Sequence, residues 1–544
     1  MGTNINEEYR LRFGNNVIID KEKYLEYSSI VEKEIFNNID DAKNKAIGMK
    51  LNDMNTFISI FVKSGITSPK YIVVPLKNRE IAHSLFYEEA IDVSTLNTLA
   101  SYLKNLKIEY NKYKDEVLQR INSKEYHSIE RAKNKAKSII ASDNDYASVW
   151  GKDAKYYVVL SSDRAFAFRN NYKELVKYYD LFEEMNERKN KIRGSLIGGA
   201  IGDALGYQIE FKRNVKDKEV TNYKDDKGII SDDTQMTLFT ANALLWRETR
   251  LRLRGIAPTL ASAIYESYLD WLDTQNNTNN HNSISWIKNI PELNIGRAPG
   301  NTCLSALSSG EMGTLDEPIN NSKGCGGIMR VAPIGLYVLD SKLAGITGAK
   351  SSAITHGHPL GILPCYILAS MLNMIVYNNE TIEAALDKSI HQYYDEFNKF
   401  NKSDVDYLME LINKAKKLAK EDISDTEAIA SLGEGWVAEE TFAIAIYSCL
   451  KYSTSFQDAI ICSVNHDGDS DSTGAVAGNI IGAYLGYNSI PTYYKDNVEL
   501  KDVILELADD MSVDVPISEY SSYEDERWEN KYVYCKYVMG EEYE

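Results

Sequence analysis

The chain has 544 residues, of which 44% are hydrophobic and 26% charged, with a formal net charge of −18. That length exceeds one ordinary hydrophobic core, so two domains are expected. The polar start from Met1 to Asp20 lacks the apolar core of a signal peptide, and no run of about 18 uniformly apolar residues suggests a membrane span. Six cysteines without CxxC spacing read as reduced thiols in a cytoplasmic protein rather than as a disulfide framework or a zinc site.

The charge is uneven. Residues 1–190 carry 30 Lys and Arg against 28 Asp and Glu, whereas 191–544 carry 31 against 51. So acidic a C-terminal part disfavours nucleic acid as a partner. One basic stretch, 101–137, has ten Lys and Arg against five acids. It reads as a solvated helix face.

In chain order, the pattern predicts a helix over Lys21–Ile47, a strand at Tyr71–Pro75 and a helix over Arg79–Ala90. Ser101–Ser142 lacks Pro and Gly and reads as one long helix, or two broken near Asn122. Tyr156–Leu160 and Ala165–Phe168 alternate as a hairpin, and Tyr172–Lys189 returns to helix. The charged run 186–193 marks the domain boundary. Residues 1–190 are therefore expected to be a smaller mixed α/β (α+β) domain.

From Gly194 the texture changes, with small residues set inside apolar segments such as Gly198-Gly199-Ala200-Ile201-Gly202 and Gly474 to Gly478. Helical patterns follow at Thr234–Arg247, Leu260–Leu272, Pro359–Tyr377, Ser403–Lys420, Ala438–Lys451 and Glu499–Met511. Residues 191–511 read as an all-α domain. The remaining 512–544 form an acidic, Tyr-rich tail, too aromatic to lack a packing surface.

Two acidic clusters carry the chemistry: Ser231-Asp232-Asp233-Thr234, and Asp467-Gly468-Asp469-Ser470-Asp471-Ser472-Thr473. Carboxylates this dense, beside Gly, Ala, Ile and Val, call for a hard divalent cation held by carboxylate and hydroxyl oxygens. Helix capping explains one member of the first cluster but not all of it. The second is not an EF-hand loop, because its glycine is misplaced and Gly478 stands where the twelfth-position Glu belongs. Asp203 reads as a structural hydrogen-bonding group and Glu210 as a functional one. Two glycine loops, Arg297 to Cys303 and Ser322 to Pro333, match no P-loop or dinucleotide fingerprint, yet let backbone N–H groups approach a diphosphate. Thr355-His356-Gly357-His358-Pro359 places two of seven histidines in a turn. A metal role for them is the weaker option, since carboxylates already supply oxygen ligands.

In this order, the segments Gly199-to-Gly206 with Glu210, Ser231-Asp-Asp-Thr, Gly300-Asn-Thr-Cys, Gly324-Cys-Gly-Gly-Ile-Met-Arg-Val-Ala-Pro, Thr355-His-Gly-His-Pro, Gly435-Trp-Val-Ala-Glu-Glu and Gly468-Asp-Ser-Asp-Ser-Thr-Gly resemble the ADP-ribosylglycohydrolase family. The resemblance covers about 193–511. It implies an all-α fold with two Mg²⁺ or Mn²⁺ ions, and hydrolysis of the bond between ADP-ribose and a modified acceptor, foremost arginine on protein.

Carried over by position, the resemblance makes Ser231, Asp232, Asp233, Asp469, Asp471 and Ser472 metal ligands. Glu210, Asp233 and Asp469 become the catalytic carboxylates. Glu210, Asn301, Gly324, Cys325, Gly326, Gly327 and His356 line the substrate. Ser472 stands where many members have Thr, and Cys325 where many have Asn. Residues 1–190 have no counterpart in that pattern. Their alternative reading is a binding domain for an ADP-ribosyltransferase, which would make the protein an immunity or antitoxin factor. Hydrolysis of ADP-ribosylated nucleic acid or of a small molecule is the other alternative.

Overall fold

The computed structural model describes residues 10–13, 16–52, 58–63, 69–91, 107–142, 146–212, 219–396, 400–519 and 525–540. The chain forms two compact units, Met1–Met185 and Asn186–Glu544, divided inside the helix Tyr178–Tyr207.

Unit 1 is built on antiparallel sheets. Its strands are β1 (Arg10–Phe13), β2 (Asn16–Ile19), β3 (Ile35–Phe36), β4 (Ile58–Lys63), β5 (Lys70–Pro75), β6 (Glu88–Ile91), β7 (Glu125–Tyr126), β8 (Ala147–Lys152), β9 (Lys155–Leu160) and β10 (Lys173–Val176). Beyond the β1–β2 ribbon there are two four-stranded sheets, ordered β3-β5-β4-β6 and β7-β9-β8-β10.

The two sheets are copies of one plan. In each, a helix, a two-residue strand, a second helix, a hairpin, a 3-10 turn, a six-residue helix and a closing strand follow in the same order. The sequence carries the same duplication. Ile39-Asp-Asp-Ala-Lys-Asn-Lys-Ala46 answers to Ile129-Glu-Arg-Ala-Lys-Asn-Lys-Ala136, and Lys70-Tyr-Ile-Val-Val74 to Lys155-Tyr-Tyr-Val-Val159. Arg79, Tyr87 and Glu89 correspond to Arg164, Tyr172 and Glu174. Even the backbone agrees: Phe86 and Asn171 hold φ of 65° and 63° at the same turn. Behind that turn Tyr87 N–H donates to Ala82 O and Tyr172 N–H to Ala167 O, both at 3.0 Å.

Several expected elements of unit 1 are corrected by this repeat. Ala165–Phe168 is not a strand but part of the helix Arg164–Arg169. The hairpin joins β8 to β9 through Asp153 and Ala154, both at positive φ, as a tight two-residue turn requires. Lys21–Ile47 and Tyr172–Lys189 each contain a strand as well as helix. Residues 107–142 form two helices, Lys107–Asn122 and Ile129–Ser142, and 101–106 lie outside the described residues.

Unit 2 is helical. The helices Asp232–Arg254, Pro359–Asn378, Lys402–Leu418, Ala438–Lys451 and Lys501–Met511 coincide closely with the amphipathic patterns of the sequence. Pro359–Asn378 is long and apolar enough to cross a membrane by composition. However, 94% of that apolar window is buried inside the unit, which marks a core helix. Residues 525–540 pack back on the unit. Trp528 Nε1 donates to Thr249 Oγ1 at 2.9 Å, and Tyr537 meets Trp286 edge to face at 4.9 Å.

One helix pair positions the functional cluster. Gly194, Gly198, Gly202 and Gly206 recur every four residues along Tyr178–Tyr207, and Gly474, Gly478 and Gly482 along Ser470–Leu485. The i, i+4 spacing puts each set on one face. The backbones meet there: a Cβ on Gly202 would lie 1.9 Å from Gly474 O, and one on Gly478 2.0 Å from Gly198 O. Side chains in this seam would push the two helices apart, and with them the acidic residues that each carries.

Candidate metal and active site

Asp203 lies on the first helix of that pair, fully buried. Its carboxylate accepts from Ser231 N–H at 2.9 and 3.0 Å, from Thr234 N–H at 3.1 Å, and from the Thr234 hydroxyl. It thereby fixes the start of Asp232–Arg254, where Ser231 is the N-cap and accepts from Asp233 N–H at 3.2 Å. The expected structural role of Asp203 thus has a specific content. The second helix, Ser470–Leu485, begins at Asp469 as its N-cap. Both acidic clusters therefore occupy helix N-termini, whose positive ends favour anions.

The clusters converge. Glu210, Asp469 and Asp471 each present an oxygen within 4.8 Å of the others, a set able to hold a metal ion. The Ser231 side chain lies beside Asp471 and favours its charged form, which joins the first cluster to the second. Ser231, Asp232, Asp233, Asp469, Asp471 and Ser472 are all buried, and Glu210 is 8% exposed.

Electrostatics show the strain of this arrangement. Burial, then the charge of Asp471, pushes Glu210 up to about 9 and Asp203 up to about 7. The same causes raise Asp232, Asp233 and Asp469 well above the carboxylate range. Glu210 Oε2, Asp233 Oδ2 and Asp469 Oδ2 are buried without a hydrogen-bond partner among the described residues. Buried like charges and orphaned oxygens are tolerated where a cation completes them. The all-oxygen donor set of carboxylates and hydroxyls fits Mg²⁺ or Mn²⁺.

The glycine loop closes one side. Cys325 N–H donates to Trp436 O at 3.3 Å, Ala438 N–H to Lys323 O at 2.9 Å, and Asp469 N–H to Glu434 O at 2.8 Å. The segment 434–438 thus ties Gly324–Gly327 to the second acidic cluster. Glu440 holds that segment by accepting from the Glu434 and Gly435 N–H groups. The Cys325 side chain lies beside Asp469 and favours its charged form.

His356 stands behind the loop, 1% exposed, with Nδ1 2.8 Å from Thr355 Oγ1. Burial and the neighbouring Arg330 charge lower it to about 3, so it is neutral. A Cβ on Gly326 would lie 3.0 Å from its ring and 2.8 Å from Cys303 Sγ. Asn301 is placed differently. It is exposed at the start of Asn301–Ser308 and lines a separate cavity of about 510 Å³ with Thr302, Asn320 and Ser322. Its neighbour Gly300 reaches the cluster, donating its N–H to Asp232 at 3.2 Å.

Sequence reasoning did not anticipate the ion pair of Lys323 with the fully buried Glu439, which anchors the glycine loop. Nor did it anticipate the stacked Phe211 and Trp436, 6.3 Å apart and next in sequence to Glu210 and Gly435. An exposed aromatic directly after an acidic candidate was the available signal.

The chain is similar to several known proteins. ADP-ribosylhydrolase ARH3 of Xenopus tropicalis is 29% identical over 220 residues, covering 36% of this chain and 62% of that protein. ADP-ribosylhydrolase ARH1 of Dictyostelium discoideum is 24% identical over 339 residues, covering 52% and 80%. ADP-ribosyl-[dinitrogen reductase] glycohydrolase of Rhodospirillum rubrum is 24% identical over 222 residues, covering 40% and 63%. The chain spans about half the length of several of the curated relatives it matches, 54% for ARH3 of Bos taurus. A solved structure described as an ADP-ribosylglycohydrolase-related protein complex is similar with a TM-score of 0.42 and 20% identity, over 60% of this chain and 98% of that one. The family model for ADP-ribosylglycohydrolase matches residues 184–520, more than half of the chain, which therefore belongs to the ADP-ribosylglycohydrolase family.

Proposed function

We propose that unit 2 is a metal-dependent hydrolase that cleaves the glycosidic bond between ADP-ribose and a modified acceptor, foremost ADP-ribosyl-arginine on protein. The observation that carries this reading is the set of three orphaned carboxylate oxygens, on Glu210, Asp233 and Asp469, inside a cluster of like charges. Ser231, Asp232, Asp233, Asp469, Asp471 and Ser472 would hold two divalent cations. When bound, these supply Lewis-acid polarisation of substrate oxygens and compensate the buried carboxylates.

The chain's own groups account for the remaining chemistry. Cleavage at the anomeric carbon of ribose develops oxocarbenium charge, which the carboxylates of Glu210, Asp233 and Asp469 stabilise by proximity. One of the three takes the proton of the attacking water as general base, and that proton passes on to the departing guanidine nitrogen. Glu210 sits at the turn that ends Tyr178–Tyr207, where it orients substrate over the cluster. The backbone of Gly324–Gly327, kept free of side chains other than Cys325 and backed by neutral His356, receives the diphosphate. Burial excludes bulk water from the reacting bond.

The test is incubation of the full chain with ADP-ribosylated arginine, serine and nucleic-acid substrates, with Mg²⁺ or with EDTA, followed by detection of free ADP-ribose. Release from the arginine substrate, dependent on Mg²⁺ and lost in Asp232→Ala, is expected. Full activity of Asp232→Ala would remove the cluster from the mechanism.

A further inference from the structure

Unit 1 contains a cavity of about 890 Å³ that the hydrolase reading does not use. It lies between the two repeats, and equivalent residues of both face it: Arg79 from the first and Arg164 from the second. The duplication has thus brought one arginine position together twice in a single site. Each arginine keeps the partner its repeat provides. Arg79 pairs with Glu89 at 2.6 Å and Arg164 with Glu174 at 2.5 Å. Glu80, whose counterpart in the second repeat is Ala165, crosses over to pair with Arg164 as well.

This network is deeply set and incompletely satisfied. The Arg164 side chain is 9% exposed. Among the described residues, Nε of both arginines and Oε1 of Glu174 have no hydrogen-bond partner.

The wall as a whole is cationic. Arg12, Lys173 and Lys177 join the two arginines, against the carboxylates of Glu80, Glu174 and Asp180. His83, lowered by burial, adds no charge at neutral pH. A positive cavity stands out in a chain of net charge −18, and a concave wall focuses its field on an anion. Aromatic surface completes the lining. Phe168 lines the cavity while 71% exposed, and Trp150 has its indole N–H already bonded to Ser148 at 2.8 Å. Phe168 can offer its ring to a planar ligand, whereas Trp150, 2% exposed, backs the wall from the core. The volume falls within the range of small-molecule sites, too small for a folded partner.

We propose that the cleft between the two repeats of unit 1 binds a nucleoside phosphate, with Arg12, Lys173 and Lys177 taking the phosphates and Phe168 the base. The inference is independent of the hydrolase reading.

Its test is calorimetric titration of the full chain in EDTA with ADP, and separately with inorganic diphosphate. The variants are Lys173→Glu/Lys177→Glu and Phe168→Ala, at exposed positions that leave the fold intact. ADP binding should weaken by about tenfold or more in the double variant. In Phe168→Ala it should weaken several-fold while diphosphate binding is unchanged. Hydrolysis of ADP-ribosyl-arginine by unit 2 should be equal in all three proteins. An ADP isotherm that is absent, or identical in wild type and the double variant, overturns the site. Diphosphate binding as tight as ADP overturns the nucleoside assignment. A chain without hydrolase activity that still shows variant-sensitive ADP binding would break the proposed function and leave this site standing.

Discussion

The two units bury charge in opposite ways. Unit 2 gathers carboxylates of one sign at two helix N-termini and leaves three oxygens unpartnered. Unit 1 sets two arginines among three carboxylates, each guanidinium paired. The first arrangement is unstable by itself and calls for a cation from outside. The second is nearly self-compensating, so it can form without a ligand and still offer donors to one. The same contrast runs through the scaffolds: a glycine seam lets two helices touch in unit 2, whereas unit 1 reuses one sheet plan twice.

The largest effect that separates the two should come from Asp469→Asn. Loss of a ligand carboxylate is expected to reduce ADP-ribose release by about a thousand-fold or more. The metal-free melting temperature should rise, because the fold no longer has to take up a proton to bury that carboxyl. A fall in that temperature would show that Asp469 is satisfied without metal. The mirror experiment is Arg164→Met in unit 1. Glu80 and Glu174 then lose their shared cation, and unit 1 should lose about 3–5 kcal/mol in chemical unfolding. A neutral outcome would mean the network contributes no stability.

Gly202→Ala tests the seam. Its Cβ would meet Gly474 O at 1.9 Å, with backbone on both sides and no flexible side chain to yield. Overpacking of about 1–3 kcal/mol is expected, with a larger loss of activity than of stability, because the shift moves Asp203 relative to Asp469. Equal activity in the purified folded variant would uncouple the seam from the site.

The smallest effect is in pH dependence. Glu210 at about 9 and Asp203 at about 7 keep protons in the metal-free fold that the unfolded chain has released. Their contribution to stability is therefore fully present below the unfolded carboxylate pKa of about 4 and lost as pH rises through 7 and towards 9. Melting temperature in EDTA should fall over that window, and saturating Mg²⁺ should flatten the curve. A flat curve in EDTA would show that these carboxylates are already ionised without metal.

The helices of unit 2 and the acidic clusters were legible in sequence because their signals are local: a 3.6-residue apolar period, and charges set beside glycine. Pairings between distant segments were not. Nothing near Cys325 announces that 434–438 will bond to it, and nothing near Lys323 points to Glu439. In unit 1 the Ala-Phe-Ala-Phe alternation of 165–168 imitates a strand, yet tertiary packing makes it helix. The duplication is faint in sequence because its identities are sparse and the spacing between equivalents shrinks from Ile39/Ile129 to Lys70/Lys155. It becomes plain once two sheets with the same strand order are laid side by side.

On the proposed function, the converging carboxylates are a metal site that breaks the ADP-ribosyl bond. The most direct measurement is the rate of free ADP-ribose release from an ADP-ribosylated arginine protein as Mg²⁺ is titrated back into EDTA-treated wild type and Asp469→Asn. Saturable recovery in wild type and none in the variant is predicted. Release in EDTA at the full rate, or equal recovery by Asp469→Asn, would contradict it.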